Sequence, residues 1–300
     1  LIVGAKELWK VLKINTVQFA IDNFQNEIDK RFGAAIRIGN PNGWYGISWG
    51  HKIDERKIQV NQYGKKGKLV FKNLDYIISN GYISWYFNNS GAIGGWQSRS
   101  SIYQLRPGYL LKGQNALKLV KDSLIISQKK IKDNKRIHIN ATMLEQIKLR
   151  ANLELLKDLK AKGLRGISLE NEFIKEFDFL TYKNDIEFHE GRHFIDKKIA
   201  KKNNIKYEQT ELEFKAKLSE IAFAKYPFMA LASILDAGVD NSAHGKANKK
   251  LVEALCKWIT ENSSKIKNYE SNVAVYLQLN KLSNKQLVAF IKSVDTLDDH

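Results

Sequence analysis

The stretch DIEFHEGRHFID, at residues 185–196, contains the spacing HExxH within a segment that has the apolar periodicity of a helix. On a helix, His189 and His193 lie one turn apart and project from the same face, so both imidazoles can reach one metal ion. Glu190 is rotated by about 100° from His189, where a carboxylate can take a proton from water beside that ion. The spacing therefore predicts a helix that carries two metal ligands and a general base.

An alternative is that the two histidines lie on the surface of a charged helix. Charged residues lie just before and within the motif, at Glu187 and Arg192 respectively. Gly191 weakens a helix by up to about 1 kcal/mol relative to Ala, which predicts that another element passes close to this helix. Asp196 could orient an imidazole, but we favour a surface acid that pairs with Arg192 one turn earlier.

The next helical segment, QTELEFKAKLSEIAF, offers a third metal ligand. Glu213 lies twenty residues after His193 and shares a helical face with Ala216, which is small enough to let the two helices approach. Two alternatives remain open. Glu220, on the same face, could bind the metal instead, or Glu213 could accept a hydrogen bond from the backbone N–H of Thr210 in a capping box.

An HExxH helix followed at this distance by such a Glu resembles the gluzincins, the thermolysin-like zinc metallopeptidases, and in particular a poorly characterised bacterial branch of them. The resemblance covers about residues 170–250. It implies a zincin-like helical half in which His189, His193 and Glu213 bind Zn²⁺. It also implies that Glu190 acts as general base while metal-activated water hydrolyses a peptide bond.

The segment GVDNSAHGKAN extends the resemblance, because thermolysin-like enzymes have an Asp-Asn turn followed by a His that precedes a helix. The resemblance gives His244 a catalytic role, donation of a hydrogen bond to the oxyanion, with Asp240 orienting its ring. The residues alone also allow Asp240 and Ser242 to be turn and N-cap residues, with His244 a partly exposed residue of the first helical turn. Lys217 departs from the family pattern, which has an acid there.

The remaining chain indicates an α+β fold. Residues 1–113 form an aromatic, sheet-rich N-terminal region that begins with a helix at about residues 7–33, and residues 114–300 form a mostly helical region. The segment at 90–111, with its glycines and Trp96, is a candidate strand edge for pairing with a peptide substrate, although an ordinary hairpin is favoured.

Composition limits the possible classes of protein. The 300 residues are 43% hydrophobic, which is too apolar for a disordered chain, and they carry a net charge of +17. The charge favours a solvated Lys-rich surface, but it also allows a second function, a basic binding module for nucleic acid or an anionic envelope polymer. A third alternative is a zinc protein that is not a peptidase.

Three further features bear on disulfides, membrane insertion and cellular location. Cys256 is the single cysteine, so no intramolecular disulfide is possible, and its apolar context predicts a core position. The longest apolar segment is interrupted by Lys225 and Pro227, which predicts no membrane span. The chain begins LIVGAKELWK without Met, and we expect a secreted or cell-envelope protein whose targeting segment is absent from this chain. The oligomeric state cannot be read from the sequence.

Overall fold

The computed structural model divides into two compact units. The first is drawn from Leu1–Ile58 and Leu69–Gly108, and the second from Gln59–Lys68 and Tyr109–His300. The α+β class expected from the sequence is confirmed, with strands in the N-terminal part and helices in the C-terminal part. The structure describes residues 17–39, 46–79, 86–87, 95–98, 101–105, 111–129 and 140–295.

In the N-terminal part, helix α1 spans Val17–Phe32 and ends before Gly33. Gly33 has a φ of 60°, a conformation that glycine adopts without strain at the end of a helix. The predicted first helix is thus confirmed over this range, and residues 7–16 lie outside the described part. The strands are β1 Ala34–Gly39, β2 Gly46–Gln62, β3 Lys65–Leu74, β4 Ile77–Ser79, β5 Tyr86–Phe87, β6 Gly95–Ser98 and β7 Ser101–Leu105.

The strands follow the order β5-β4-β2-β3-β7-β6, and β1 pairs with β2. The pairs β1–β2, β2–β4, β4–β5 and β6–β7 are antiparallel, whereas β3 and β7 are parallel. Trp96 lies on β6, the last strand of this order, opposite Tyr103 of β7. A substrate-pairing role for this strand stays a prediction, because most of the segment 90–111 lies outside the described residues.

The second unit is formed mainly by helices that match the apolar periodicities of the sequence. Residues 59–68 lie within the sheet-rich region 1–113 expected from the sequence, but they belong to this unit. They form the tip of the β2–β3 hairpin. The turn at Tyr63–Gly64 has φ of 50° and 70°, the positive values that two-residue hairpin loops require. The helices are α2 Lys112–Lys121, α3 Ser123–Gln128, α4 Ala141–Ala161, α5 Gly166–Tyr182, α6 His189–Asn203, α7 Gln209–Phe223, α8 Pro227–Asp236, α9 Ala243–Glu261 and α10 Asn284–Val294.

The core of this unit is built around helix α8, whose sequence PFMALASILD is apolar on nearly every side. Pro227 starts the helix at a position where its missing N–H costs nothing. Helix α8 packs against α4 and α7, and α7 also packs against α6 and α9. Helix α7 therefore lies in contact with both the helix that carries HExxH and the helix that begins near His244. Among the described residues, no helix is long and apolar enough to cross a membrane.

Cys256 lies on α9, partly buried against the apolar core. Burial, together with the charge of Glu253, raises the pKa of its thiol from 9.0 to about 11. We expect Ellman's reagent at pH 8 to label the folded chain about 100-fold more slowly than the chain in guanidinium chloride, because only the thiolate reacts. The labelling rate followed by absorbance measures this difference. Equal rates in the two states would contradict the burial of this side chain.

Candidate metal centre

The two histidines of the HExxH motif lie side by side in the first turn and a half of α6. Each is buried, with 6% of its surface exposed, so the surface alternative is wrong. Their Nε2 atoms are 3.1 Å apart and their rings are nearly perpendicular. Two unprotonated ring nitrogens at this distance repel each other unless a proton or a cation lies between them. The helix thus directs two nitrogen donors towards one point.

Glu213 of α7 brings a carboxylate oxygen to the same point. Its Oε2 atom is 3.2 Å from Nε2 of His189 and 3.6 Å from Nε2 of His193. The other oxygen, Oε1, accepts a hydrogen bond from Gln209 at 2.8 Å. The capping-box alternative is wrong, because α7 is preceded by Glu208 as N-cap residue and Thr210 lies inside the helix. Glu213 is therefore directed towards the two histidines, as the sequence spacing predicts.

Glu220 contacts the imidazole of His189 on the side opposite to Glu213. Its Oε1 atom lies 2.5 Å from Nδ1 of His189, and the side chain is 4% exposed. A carboxylate at this position accepts the Nδ1 proton, which makes the Nε2 lone pair of His189 available to a metal ion beside Glu213. The two candidate carboxylates thus take different places, Glu213 at the Nε2 atoms and Glu220 behind the ring. Lys217, which stands where the gluzincin pattern has an acid, is buried between these two residues on α7.

Two polar atoms of the cluster are buried without a hydrogen-bond partner, Oε2 of Glu213 and Nδ1 of His193. Three imidazole nitrogens approach Oε2 within 3.0 to 3.6 Å, but none has hydrogen-bond geometry to it. An unsatisfied buried carboxylate oxygen costs free energy, and a cation at the centre of these atoms would remove that cost.

The electrostatics of the cluster favour positive charge at its centre. Burial by itself would lower the pKa of His189, but the neighbouring carboxylates of Glu213 and Glu220 raise it to about 10. Burial opposes ionisation of Glu213 as well, yet the imidazoles around it hold the pKa of its carboxyl well below the usual range. The same arrangement that favours a protonated imidazole would stabilise a divalent cation in its place.

The donor set and its spacing fit a tetrahedral metal ion. Zinc binds His nitrogen and carboxylate oxygen at about 2.0–2.1 Å, which places ligand atoms of a regular tetrahedron about 3.3 Å apart. The three distances among the Nε2 and Oε2 atoms are 3.1, 3.2 and 3.6 Å. His189, Glu213 and His244 also offer donor atoms that lie within 4.8 Å of one another. The cluster could therefore hold a metal ion through at least three side chains.

Glu190 follows His189 directly on α6 and is buried, with 8% of its surface exposed. Helical geometry turns its side chain about 100° away from that of His189, so it lies beside the two imidazoles rather than between them. The charge of Glu190 is close enough to the imidazole of His189 to help raise the pKa of that ring. Lys197, two turns later, lies close enough for its charge to interact with those of Glu190 and Glu213.

His244 reaches the cluster from the first turn of α9. Its Nδ1 atom is 3.0 Å from Oε2 of Glu213, and its ring lies 5.8 Å from that of His189 at an angle of 23°. Asp240 does not have the orienting contact expected for it among the described hydrogen bonds, since its Oδ1 accepts the backbone N–H of Ser242 at 2.8 Å. Ser242 in turn accepts the N–H of Gly245 at 3.0 Å as N-cap residue. The turn and N-cap alternative thus holds, and it fixes the backbone from which His244 projects.

Two neighbouring elements shape the helix that carries the motif. Residues Lys183–Phe188 form a π-helical turn between α5 and α6, a conformation often found at functional sites. The carbonyl of Phe188 accepts a hydrogen bond from Gln62 of the hairpin tip at 2.9 Å. A Cβ atom on Gly191 would lie 3.1 Å from both Gln62 and Val60. The close approach predicted from Gly191 is therefore confirmed, and the approaching element is the hairpin tip.

Arg192 and Asp196 correct a second expectation. They do pair, with both carboxylate oxygens 3.0 Å from Nε of Arg192, but both side chains are completely buried rather than at the surface. The guanidinium also donates to Ser219 at 3.0 Å and to both oxygens of Asp295, at 2.8 and 2.9 Å. Its carbon lies 5.0 Å from the ring centre of Tyr63. Arg192 thus connects α6 with α7, the hairpin tip and the end of α10.

A separate pocket of about 500 Å³ follows α4 and is mostly apolar. No residue of the metal cluster lines this pocket, so the pocket is not part of the candidate metal centre. Its lining residues are Ser127, Gln146, Leu149, Arg150, Leu153, Glu154 and Lys157.

In comparisons with known proteins, no family model, no curated protein and no solved structure matches this chain.

Proposed function

We propose that this chain is a zinc-dependent metallopeptidase in which His189, His193 and Glu213 bind the metal. The observation that carries the proposal is the convergence of their Nε2 and Oε2 atoms within 3.1 to 3.6 Å inside a buried site. Neutral imidazoles and a carboxylate are ligands typical of hydrolytic zinc sites, which favours zinc over the oxygen-preferring Mg²⁺ and Ca²⁺. When bound, the zinc ion supplies a Lewis acid that polarises a carbonyl and lowers the pKa of water.

Glu190 is the proposed general base. Its carboxylate takes the proton of the attacking water and later delivers a proton to the leaving amine. Because Glu190 directly follows His189 on α6, the helix itself sets the position of this carboxylate relative to the ligands. Glu220 holds His189 through Nδ1, which fixes the ring orientation and its tautomer. The peptide bond as substrate follows from the resemblance of HExxH and Glu213 to the gluzincins.

A metal titration of the full chain, compared with Glu213→Ala and Glu211→Ala, tests the ligand assignment. We expect about one zinc ion per chain in the wild type and an affinity lowered by about 100-fold or more in Glu213→Ala, since one of three ligands is lost. Glu211 lies on the same helix, pairs with Lys250 and is the matched control, so its replacement should leave the affinity unchanged.

Hydrolysis of a fluorogenic peptide mixture tests the activity. It should stop on chelation and return when zinc is added back. A folded wild type that binds no zinc, or an equal loss of zinc affinity in Glu213→Ala and Glu211→Ala, contradicts the ligand assignment. Stoichiometric zinc without any hydrolysis contradicts the peptidase proposal and leaves a structural zinc site.

A further inference from the structure

His244 stands closer to the proposed ligands than an oxyanion donor should. Such a donor lies about 2.7–3.1 Å from the oxyanion, which in turn needs its own place next to the metal ligands. Nδ1 of His244, however, is only 3.0 Å from Oε2 of Glu213. This leaves no room for an oxygen between the two atoms. The separation is close to the distance of about 3.3 Å between neighbouring ligands of a tetrahedral zinc ion.

His244 also differs from the other members of the cluster in how firmly it is held. The side chains of His189, His193 and Glu213 are 5 to 8% exposed, whereas that of His244 is 61% exposed. Rotation of His244 about its χ1 bond therefore uncovers little apolar surface. Its backbone is fixed, because Gly245 packs so closely against Asp240 that an added Cβ would lie 2.1 Å from Oδ1. The imidazole is thus attached at a fixed point but is free to leave the cluster.

Resting on the proposed function, we propose that His244 is a fourth, displaceable metal ligand that closes the zinc site in the resting protein. Four protein ligands satisfy a tetrahedral ion, and catalytic sites differ from structural ones by an open position. Rotation of His244 away from Glu213 creates that position, so a substrate gains access only when it replaces this imidazole. Access to the site is then controlled by one side chain at the start of α9.

X-ray absorption spectroscopy of the zinc-loaded full chain tests the inference without an activity readout. We expect three imidazoles on the zinc in the wild type and two in His244→Ala, with zinc affinity lowered by about tenfold or more. Acetohydroxamic acid, a small chelating probe, should reduce the wild-type count from three to two. Free imidazole added to His244→Ala should restore three. His51→Ala, which removes an exposed His that contacts Asp75 in the first unit, should keep three and unchanged affinity.

The outcomes separate this inference from the proposed function. Two imidazoles in both the wild type and His244→Ala, with equal affinity, overturn the fourth-ligand role and leave the three-residue site intact. Three imidazoles that acetohydroxamic acid cannot reduce to two overturn displaceability. A folded wild type that binds no zinc instead overturns the proposed function itself.

Discussion

Glu190→Gln is expected to lower kcat for peptide hydrolysis by about 10²–10⁴-fold while the protein keeps its zinc. The amide has nearly the same size as the carboxylate, so the buried position can accept it without a cavity. It cannot accept a proton at neutral pH, which removes the general base. Glu190 is not among the three proposed ligands, so the zinc content should remain at the wild-type value.

The measurement pairs single-peptide kinetics with zinc analysis of the same samples. Glu187→Gln is the matched control, because Glu187 lies three residues earlier, is half-buried and contacts the hydroxyl of Tyr182. We expect this control to change kcat by less than about tenfold, since it removes no group from the reaction. A Glu190→Gln variant with full zinc and wild-type kcat would exclude Glu190 as the base.

Arg192→Met should destabilise the fold by about 3–5 kcal/mol. Met fills much of the same volume but donates no hydrogen bond, so the carboxylates of Asp196 and Asp295 lose their buried partner. Burial already raises the pKa of Asp196. In the variant, protonation of the Asp196 carboxyl favours the folded state, so the free energy of unfolding should fall as pH rises through the raised pKa of this carboxyl.

Urea unfolding of the apo protein at several pH values measures this effect. Lys198→Met, an exposed position on the same helix, is the control and should change the free energy of unfolding by less than about 0.5 kcal/mol. Adding Asp196→Asn and Asp295→Asn to Arg192→Met should recover part of the lost stability, because the uncompensated charges are gone. A loss below about 1 kcal/mol in Arg192→Met would show that the buried network contributes little.

The local part of the candidate site could be predicted from the sequence because helical geometry repeats. Residues four apart share a face, so HExxH alone placed His189 and His193 together. Glu213 is favoured over Glu220 because its distance along the chain and its small neighbour, Ala216, match the pattern of the gluzincins. The pairing of the histidines needs only the periodicity of one helix, whereas the choice of Glu213 over Glu220 also needs the resemblance to the gluzincins.

Other features depend on tertiary contacts that no local pattern encodes. Arg192 looks like a surface residue in the sequence, and its burial becomes apparent only with Asp295, which lies 103 residues away. The separate role of Glu220 depends on the rotation of α7 about its own axis, which decides which carboxylate reaches Nε2 and which reaches Nδ1. The membership of residues 59–68 in the helical unit requires knowing where the hairpin tip packs.

The π-helical turn at Lys183–Phe188 sets how α6 is rotated about the axis that it shares with α5. Helices α5 and α6 run as one rod from Gly166 to Asn203, and a π-helical turn accommodates one residue more than a regular helix does between two fixed ends. If the same residues instead formed a regular α-helix while α5 stayed packed as it is, the extra residue would shift the register of α6. Every residue of α6 would then turn by about 100° about the axis, and both imidazoles would face away from Glu213. The alignment of the two halves of this rod thus depends on the π-helical geometry of six residues that contribute no ligand.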